Sequence, residues 1–107
     1  MERKVDKIDL TYLDDFPRAL QEVAKVMYFG ATKYERGSWL RLSSNEMRPS
    51  ERRHSMAISL GETIDKESGL SHLAHKAARV LMELELKLLE EDMVQKVEDL
   101  WPDRPRS

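Results

Sequence analysis

Three acidic groups and three histidines fall within 22 positions of the stretch from His54 to His75, and this is where the chain concentrates groups able to do chemistry. The run reads Arg52-Arg53-His54, then Gly61-Glu62-Thr63-Ile64-Asp65-Lys66-Glu67-Ser68-Gly69-Leu70, then His72-Leu73-Ala74-His75. Glu62 and Asp65 are three apart, as are His72 and His75, and on a helix that spacing puts both members of a pair on one face. Carboxylate oxygens suit magnesium or manganese, and imidazole adds a preference for transition metals such as manganese, zinc or nickel, so a mixed metal site is chemically reasonable. Against it, Glu62, Asp65 and Glu67 can equally cap neighbouring helices. His72 and His75 can be hydrogen-bonded near a helix start without any metal.

A second group lies upstream, in Gly30-Ala31-Thr32-Lys33-Tyr34 and the Arg36, Trp39 and Arg41 that follow. Lys33 can hold a phosphate, Tyr34 or Trp39 can stack on a planar base, and Arg36, Arg41, Arg52 and Arg53 can neutralise phosphate oxygens. The plainer alternatives are that the tryptophan is core and the arginines are surface. HExxH, Walker, GxGxxG and GxSxG motifs are all absent from the sequence, so hydrolysis by those routes has no support.

These residues must be positioned by helices. Pro17 suits a first helical turn, and Leu20, Val23, Ala24 and Met27 recur at helical spacing, which predicts a first helix ending near Gly30. Between Gly30 and Pro49 the glycines, serines and Asn45 favour turns, so this span reads as a long functional connection. Ser50 is expected to cap a second helix carrying Met56, Ala57, Ile58 and Leu60, with Gly61 ending it. After a break at Asp65, Ser68 and Gly69, the residues Leu70, Ala74, Ala77, Leu81, Leu84 and Leu88 step by fours and threes along a long amphipathic helix. That rhythm predicts lengthwise packing against another helix, either the domain's own or one from a second copy. Residues 1 to 14 carry an Ile8, Leu10, Tyr12 alternation that suggests a short extended arm, and Trp101 to Ser107 read as a frayed tail after a domain spanning 1 to 100.

The fold class expected is therefore all-α: one small domain of three main helices with a long functional loop, completed by helix packing in an oligomer. Of the 107 residues, 40% are hydrophobic and 36% charged, with a formal charge of -2, so no basic field exists to attract a nucleic-acid duplex. No apolar run approaches a membrane span, and the charged start, Met1 to Lys7, lacks a secretory pattern, so a cytoplasmic location is expected. Without cysteine, disulfides, thiolate nucleophiles and the usual structural zinc sites are excluded.

Taken in order, Glu22-Val23-Ala24, Phe29-Gly30-Ala31-Thr32-Lys33-Tyr34, Ser38-Trp39, Arg53-His54, Gly61-Glu62-Thr63-Ile64-Asp65, Glu67-Ser68-Gly69-Leu70 and His72-Leu73-Ala74-His75 resemble phage dATP/dGTP diphosphohydrolase-type proteins. These are similar to the all-helical MazG nucleotide pyrophosphohydrolases, and the resemblance covers roughly Lys7 to Leu89. It implies an all-α hydrolase that uses Mg2+ or Mn2+ to convert a (deoxy)purine nucleoside triphosphate into monophosphate and pyrophosphate, as a homodimer or larger homo-oligomer, in the host cytoplasm if phage-encoded.

Carried over by position, Glu62, Asp65, His72 and His75 are the implied metal ligands, and Glu22, Glu62 and Glu67 the implied catalytic carboxylates. Lys33, Tyr34, Trp39, Arg53 and His54 are the implied substrate-binding residues, with Trp39 near the base. One departure stands out. MazG enzymes supply two carboxylate pairs, ExxE and ExxD, whereas here Glu62 and Asp65 form the only clear pair and Glu22 is followed at that offset by Lys25. The alternative reading is a non-catalytic phage helical protein that binds a host protein or a nucleotide.

Overall fold

The computed structural model describes residues 7–103; the first six residues of the charged start and the last four of the tail lie outside the described residues. Among the described residues there are three α-helices and no strand: α1 (Pro17–Ala31), α2 (Arg48–Ser59) and α3 (His72–Leu100). The architecture is all-α, as the spacing predicts.

Helix α1 opens with Pro17 in its first turn, and it ends where the Thr32 hydroxyl donates to the Phe29 carbonyl at 2.6 Å. Its inward face carries Val23, Val26 and Met27 at the three- and four-residue steps that line one side of a helix. The residues before it differ from expectation. Instead of an extended arm, Leu10–Asp15 form a 3₁₀ turn whose start is capped by Asp9, which accepts from the Thr11 N–H at 3.0 Å. An apolar alternation of three residues is too short to define a strand, and Ile8, Leu10 and Tyr12 are all exposed.

The long connection holds two further 3₁₀ turns, Ser38–Arg41 and Ser44–Met47. The second opens with a capping box in which Ser43 and Glu46 satisfy each other's backbone. It runs straight into α2, so the helix starts at Arg48 rather than behind a Ser50 cap, and Ser50 instead faces inward with its hydroxyl buried and unpaired. Glu90 on α3 pins this connection by accepting from both the N–H and the hydroxyl of Ser44, each at 2.8 Å.

Gly61, at φ 91°, closes α2 in a left-handed conformation that side-chain-bearing residues avoid, and the Glu62 N–H then donates back to the Ala57 carbonyl at 2.9 Å. Between α2 and α3 the chain doubles back on itself. Ile64 and Ser71 form an isolated antiparallel bridge, the Asp65 N–H donates to the Leu70 carbonyl, and the His72 N–H donates to the Thr63 carbonyl. Ser71 then caps α3 by accepting from the Ala74 N–H at 3.0 Å.

Helix α3 spans both halves of the core. One cluster joins Val26, Ala74 and Ala78, with Val23, Met27 and Leu70 around it; the other joins Met47, Met82 and Leu86, with Met27 and Trp39 around it. The buried row is thus Ala74, Ala78, Met82 and Leu86, four residues apart. Of the expected stripe, only Ala74 is buried, with Leu70 and Ala77 half-buried; Leu81, Leu84 and Leu88 stay about half exposed. Helix α3 is apolar on more than one side, and periodicity alone does not say which side meets α1 and α2.

Candidate functional site

The inward face of α2 is polar. Ser50 and His54, one turn apart, are its buried residues, while Met56, Ile58 and Leu60 point outward. Opposite them stand His72 and His75 in the first turn of α3. Three imidazoles therefore meet in the interior: Nδ1 of His54 lies 2.8 Å from Nδ1 of His72, and the His54 and His75 rings stack with centroids 4.7 Å apart. A hydrogen bond between two imidazole nitrogens requires one protonated and one bare nitrogen, so His54 and His72 hold complementary tautomers.

The doubled-back connection supplies the carboxylates. Glu62 Oε1 lies 3.5 Å from His72 Nε2, and Asp65 Oδ2 lies 3.6 Å from His75 Nε2. The Ser68 hydroxyl sits between the second pair, 2.8 Å from Asp65 Oδ2 and 2.6 Å from His75 Nε2. Glu62 and Asp65 reach the histidines from a turn, not from a shared helix face, so their three-residue spacing does not act in the way the helical reading supposed. His72 Nε2 is buried with no hydrogen-bond partner. Such an atom is expensive to leave unsatisfied, so this nitrogen is the group of the cluster with hydrogen-bonding capacity to spare.

Burial pushes the His54 imidazole down to about 4, reinforced by its neighbours His75 and His72, and burial lowers His75 as well. In both rings the interior favours the uncharged form. Burial alone would raise Asp65, but two hydrogen bonds from Ser68, with His75 and His72 nearby, outweigh it and keep the carboxyl below its ordinary value.

The remaining expected residues are dispersed around this centre. Lys33 pairs with Glu67 at 2.6 Å and sits 5.1 Å from the centroid of the Phe29 ring, which stands perpendicular to the His75 ring with centroids 6.3 Å apart. Tyr34 and Arg53 are exposed. Glu22 pairs with Lys25 at 2.8 Å on its own helix and is not among the groups that meet the imidazoles. Trp39 packs against Met47, Met82 and Leu86, so its indole helps close the second core cluster. Sequence reasoning passed over Phe29 and the bridging role of Ser68, although Ser68 lies within the Glu67-Ser68-Gly69-Leu70 motif. It also missed Arg79, whose guanidinium is half-buried against the Met47 sulfur at 3.8 Å.

Among the described residues no three histidine, aspartate or glutamate side chains are grouped so as to hold a metal ion. The expected ligands Glu62, Asp65, His72 and His75 gather in one region but divide into two acid–imidazole pairs, with His54 lying between the two rings and Ser68 bridging the second pair. That donor arrangement does not fit a resident ion held by these four residues alone.

The description "dATP/dGTP diphosphohydrolase, N-terminal" belongs to the family whose pattern matches residues 1–96. The chain belongs to this family. It is also similar to a dATP/dGTP diphosphohydrolase of Salmonella phage PMBT28, at 33% identity over 75 residues. That match covers 70% of this chain and 25% of the phage protein, so this chain corresponds to about a quarter of its relative's length. No solved structure matches the chain. All the paired groups described above, from Lys33 to His75, fall inside the matched region.

Proposed function

We propose that this chain carries the site at which a (deoxy)purine nucleoside triphosphate is hydrolysed to monophosphate and pyrophosphate. The observation that carries this reading is the meeting of three imidazoles with Glu62, Asp65 and Ser68 at the α2–α3 contact. Family membership supports nucleotide hydrolysis at the coarser level.

Hydrolysis needs a water deprotonated as it attacks phosphorus and a way to offset phosphate charge. His72 is the base in this reading: its Nε2 has no other partner, and the nearby Glu62 carboxylate, which is partly exposed, stabilises the imidazolium once the proton has moved. His75 is held through Nε2 by Ser68 and Asp65, so its part is to fix the turn that carries Asp65 beside the substrate. Arg53, beside His54 at the exposed edge, and Lys33 supply positive charge. Magnesium or manganese enters as part of the substrate complex, because magnesium keeps several waters and is commonly held by one or two carboxylates together with substrate phosphates. The exposed apolar residues Leu81, Leu84 and Leu88 support a homodimer or larger assembly, with α3 as the shared helix.

The test is release of pyrophosphate from dATP and dGTP with magnesium or manganese, compared with Glu62→Ala and His75→Ala. Turnover in the parent chain and its loss in both variants supports the reading. Nucleotide binding without turnover across the common triphosphates overturns it in favour of a non-catalytic binding protein.

A further inference from the structure

A cleft of about 480 Å³ runs along the outer side of α1, lined by Gln21, Lys25, Tyr28, Phe29, Ser68 and Leu70 among others. Its size falls within the roughly 300–1,000 Å³ of small-molecule sites. Two of its walls are also walls of the histidine site: Phe29 contacts the His75 ring, and Ser68 bonds to His75 Nε2. A molecule lying in the cleft therefore has its inner end beside the imidazoles. Its walls supply two aromatic rings, one of which, Tyr28, is 76% exposed and so uncommitted to the core. They also supply a carboxamide on Gln21, which carries both donors and an acceptor. Lys25 lies on the wall, and Lys33 lies just past Phe29.

Planar aromatic surface, one reading amide and, beside Phe29, Lys33, whose partner Glu67 is exposed and exchangeable, match a planar base joined to an anion. Trp39, the residue expected near the base, is occupied in the core, which leaves the platform to another ring. We propose that the purine nucleoside of the substrate lies in this cleft, its base against Tyr28 and within reach of Gln21, with its phosphates running past Phe29 toward His75 and Lys33. This rests on the reading of the site as one that takes a nucleotide, and it names the residues that hold the base.

The experiment titrates the full chain with dAMP and dGMP by calorimetry, with and without magnesium, for the parent, Tyr28→Ala, Tyr28→Phe and Gln21→Ala. Base–aromatic stacking is worth roughly 1–3 kcal/mol, so Tyr28→Ala is expected to weaken binding by about tenfold. Tyr28→Phe keeps the ring and restores affinity, and Gln21→Ala alters the ratio of the two affinities. Because Tyr28 is exposed, its removal leaves the fold intact, which circular dichroism checks. Unchanged affinity in Tyr28→Ala overturns the proposal, as does a parent chain that binds neither nucleotide. A third overturning result is that Tyr28→Ala shifts the mass in solution rather than nucleotide affinity, which makes the cleft a contact between copies. Loss of turnover with Tyr28-dependent binding retained counts against the hydrolase reading alone, so the two failures are distinguishable.

Discussion

The two halves of α3 treat burial in opposite ways. From His72 to Leu86 the helix is packed on α1 and α2, and its buried residues include two histidines alongside alanine, methionine and leucine. From Leu88 to Leu100 it has no buried residue, yet it carries Leu88, Leu89, Met93, Val94 and Leu100, all substantially exposed. A small domain that spends interior space on imidazoles and leaves leucines in water inverts the usual allocation, because burying polar groups costs free energy and burying apolar ones supplies it. In the proposed reading the polar interior serves the chemistry and the apolar exterior is covered by a second copy of the chain. The chain's radius of gyration, 17.5 Å against about 13 Å for a domain of this length, reflects the same overhang.

If the first half is the working half, the largest effect follows from removing its unpaired nitrogen. His72→Ala is expected to lower pyrophosphate release by about 10²–10⁴-fold, the usual contribution of a positioned base. A rate within a few-fold of the parent would assign the proton transfer elsewhere and dissolve the functional contrast between the halves.

Stability separates the halves next. Leu86 is 3% exposed, and Leu86→Ala should cost about 2–5 kcal/mol in urea melts. Leu88, two residues on and 53% exposed, should cost less than about 0.5 kcal/mol in dilute protein. Should a second copy cover the exposed side, the Leu88→Ala deficit grows with protein concentration, since assembly stabilises the folded state by mass action. Equal costs at all concentrations would show that the two halves do not differ.

Much of the scaffold was legible in the sequence for identifiable reasons. Pro17 announced α1, Gly61 closed α2, and the Ser68-Gly69 break preceded α3, because proline and glycine act through backbone sterics that need no tertiary context. The buried side of α3 was not legible, since both its sides are apolar and only the placement of Val26 and Met47 selects Ala78, Met82 and Leu86 over Leu81, Leu84 and Leu88. In the site, the His72–His75 pairing could be read from helical spacing. The joining of His54 to them could not, because it depends on how α2 packs on α3. Ser68 looked like a loop breaker, and only the fold of the connection turns its hydroxyl into a bridge between Asp65 and His75.

Acid should disturb the working half more than the overhang. His54 is lowered to about 4 in the folded chain against an ordinary 6.5, so between those values the unfolded chain binds more protons and stability rises with pH. The contribution is complete above about 6.5 and is lost as pH falls toward 4, by something on the order of 2–3 kcal/mol. His75 acts in the same direction. Asp65, held low, adds stability that is present above its ordinary value and disappears only as pH drops through its lowered one. Urea melts at pH 7, 6 and 5 should show the decline in the parent and a flatter profile in His54→Gln; parallel profiles would detach the pH dependence from the imidazole cluster.

The smallest expected effect concerns Glu67, which the sequence offered as a catalytic carboxylate. Its side chain is 66% exposed and already engaged by Lys33, and exposed ion pairs are worth about 0–1 kcal/mol. Glu67→Gln should therefore cost under about 1 kcal/mol and less still at high salt, where the pair is screened. Its kcat should stay within about threefold of the parent, because the proton acceptor in this reading is His72 supported by Glu62. A loss comparable to that of His72→Ala would return Glu67 to the chemistry and extend the working region from the buried imidazoles to the exposed edge of the turn.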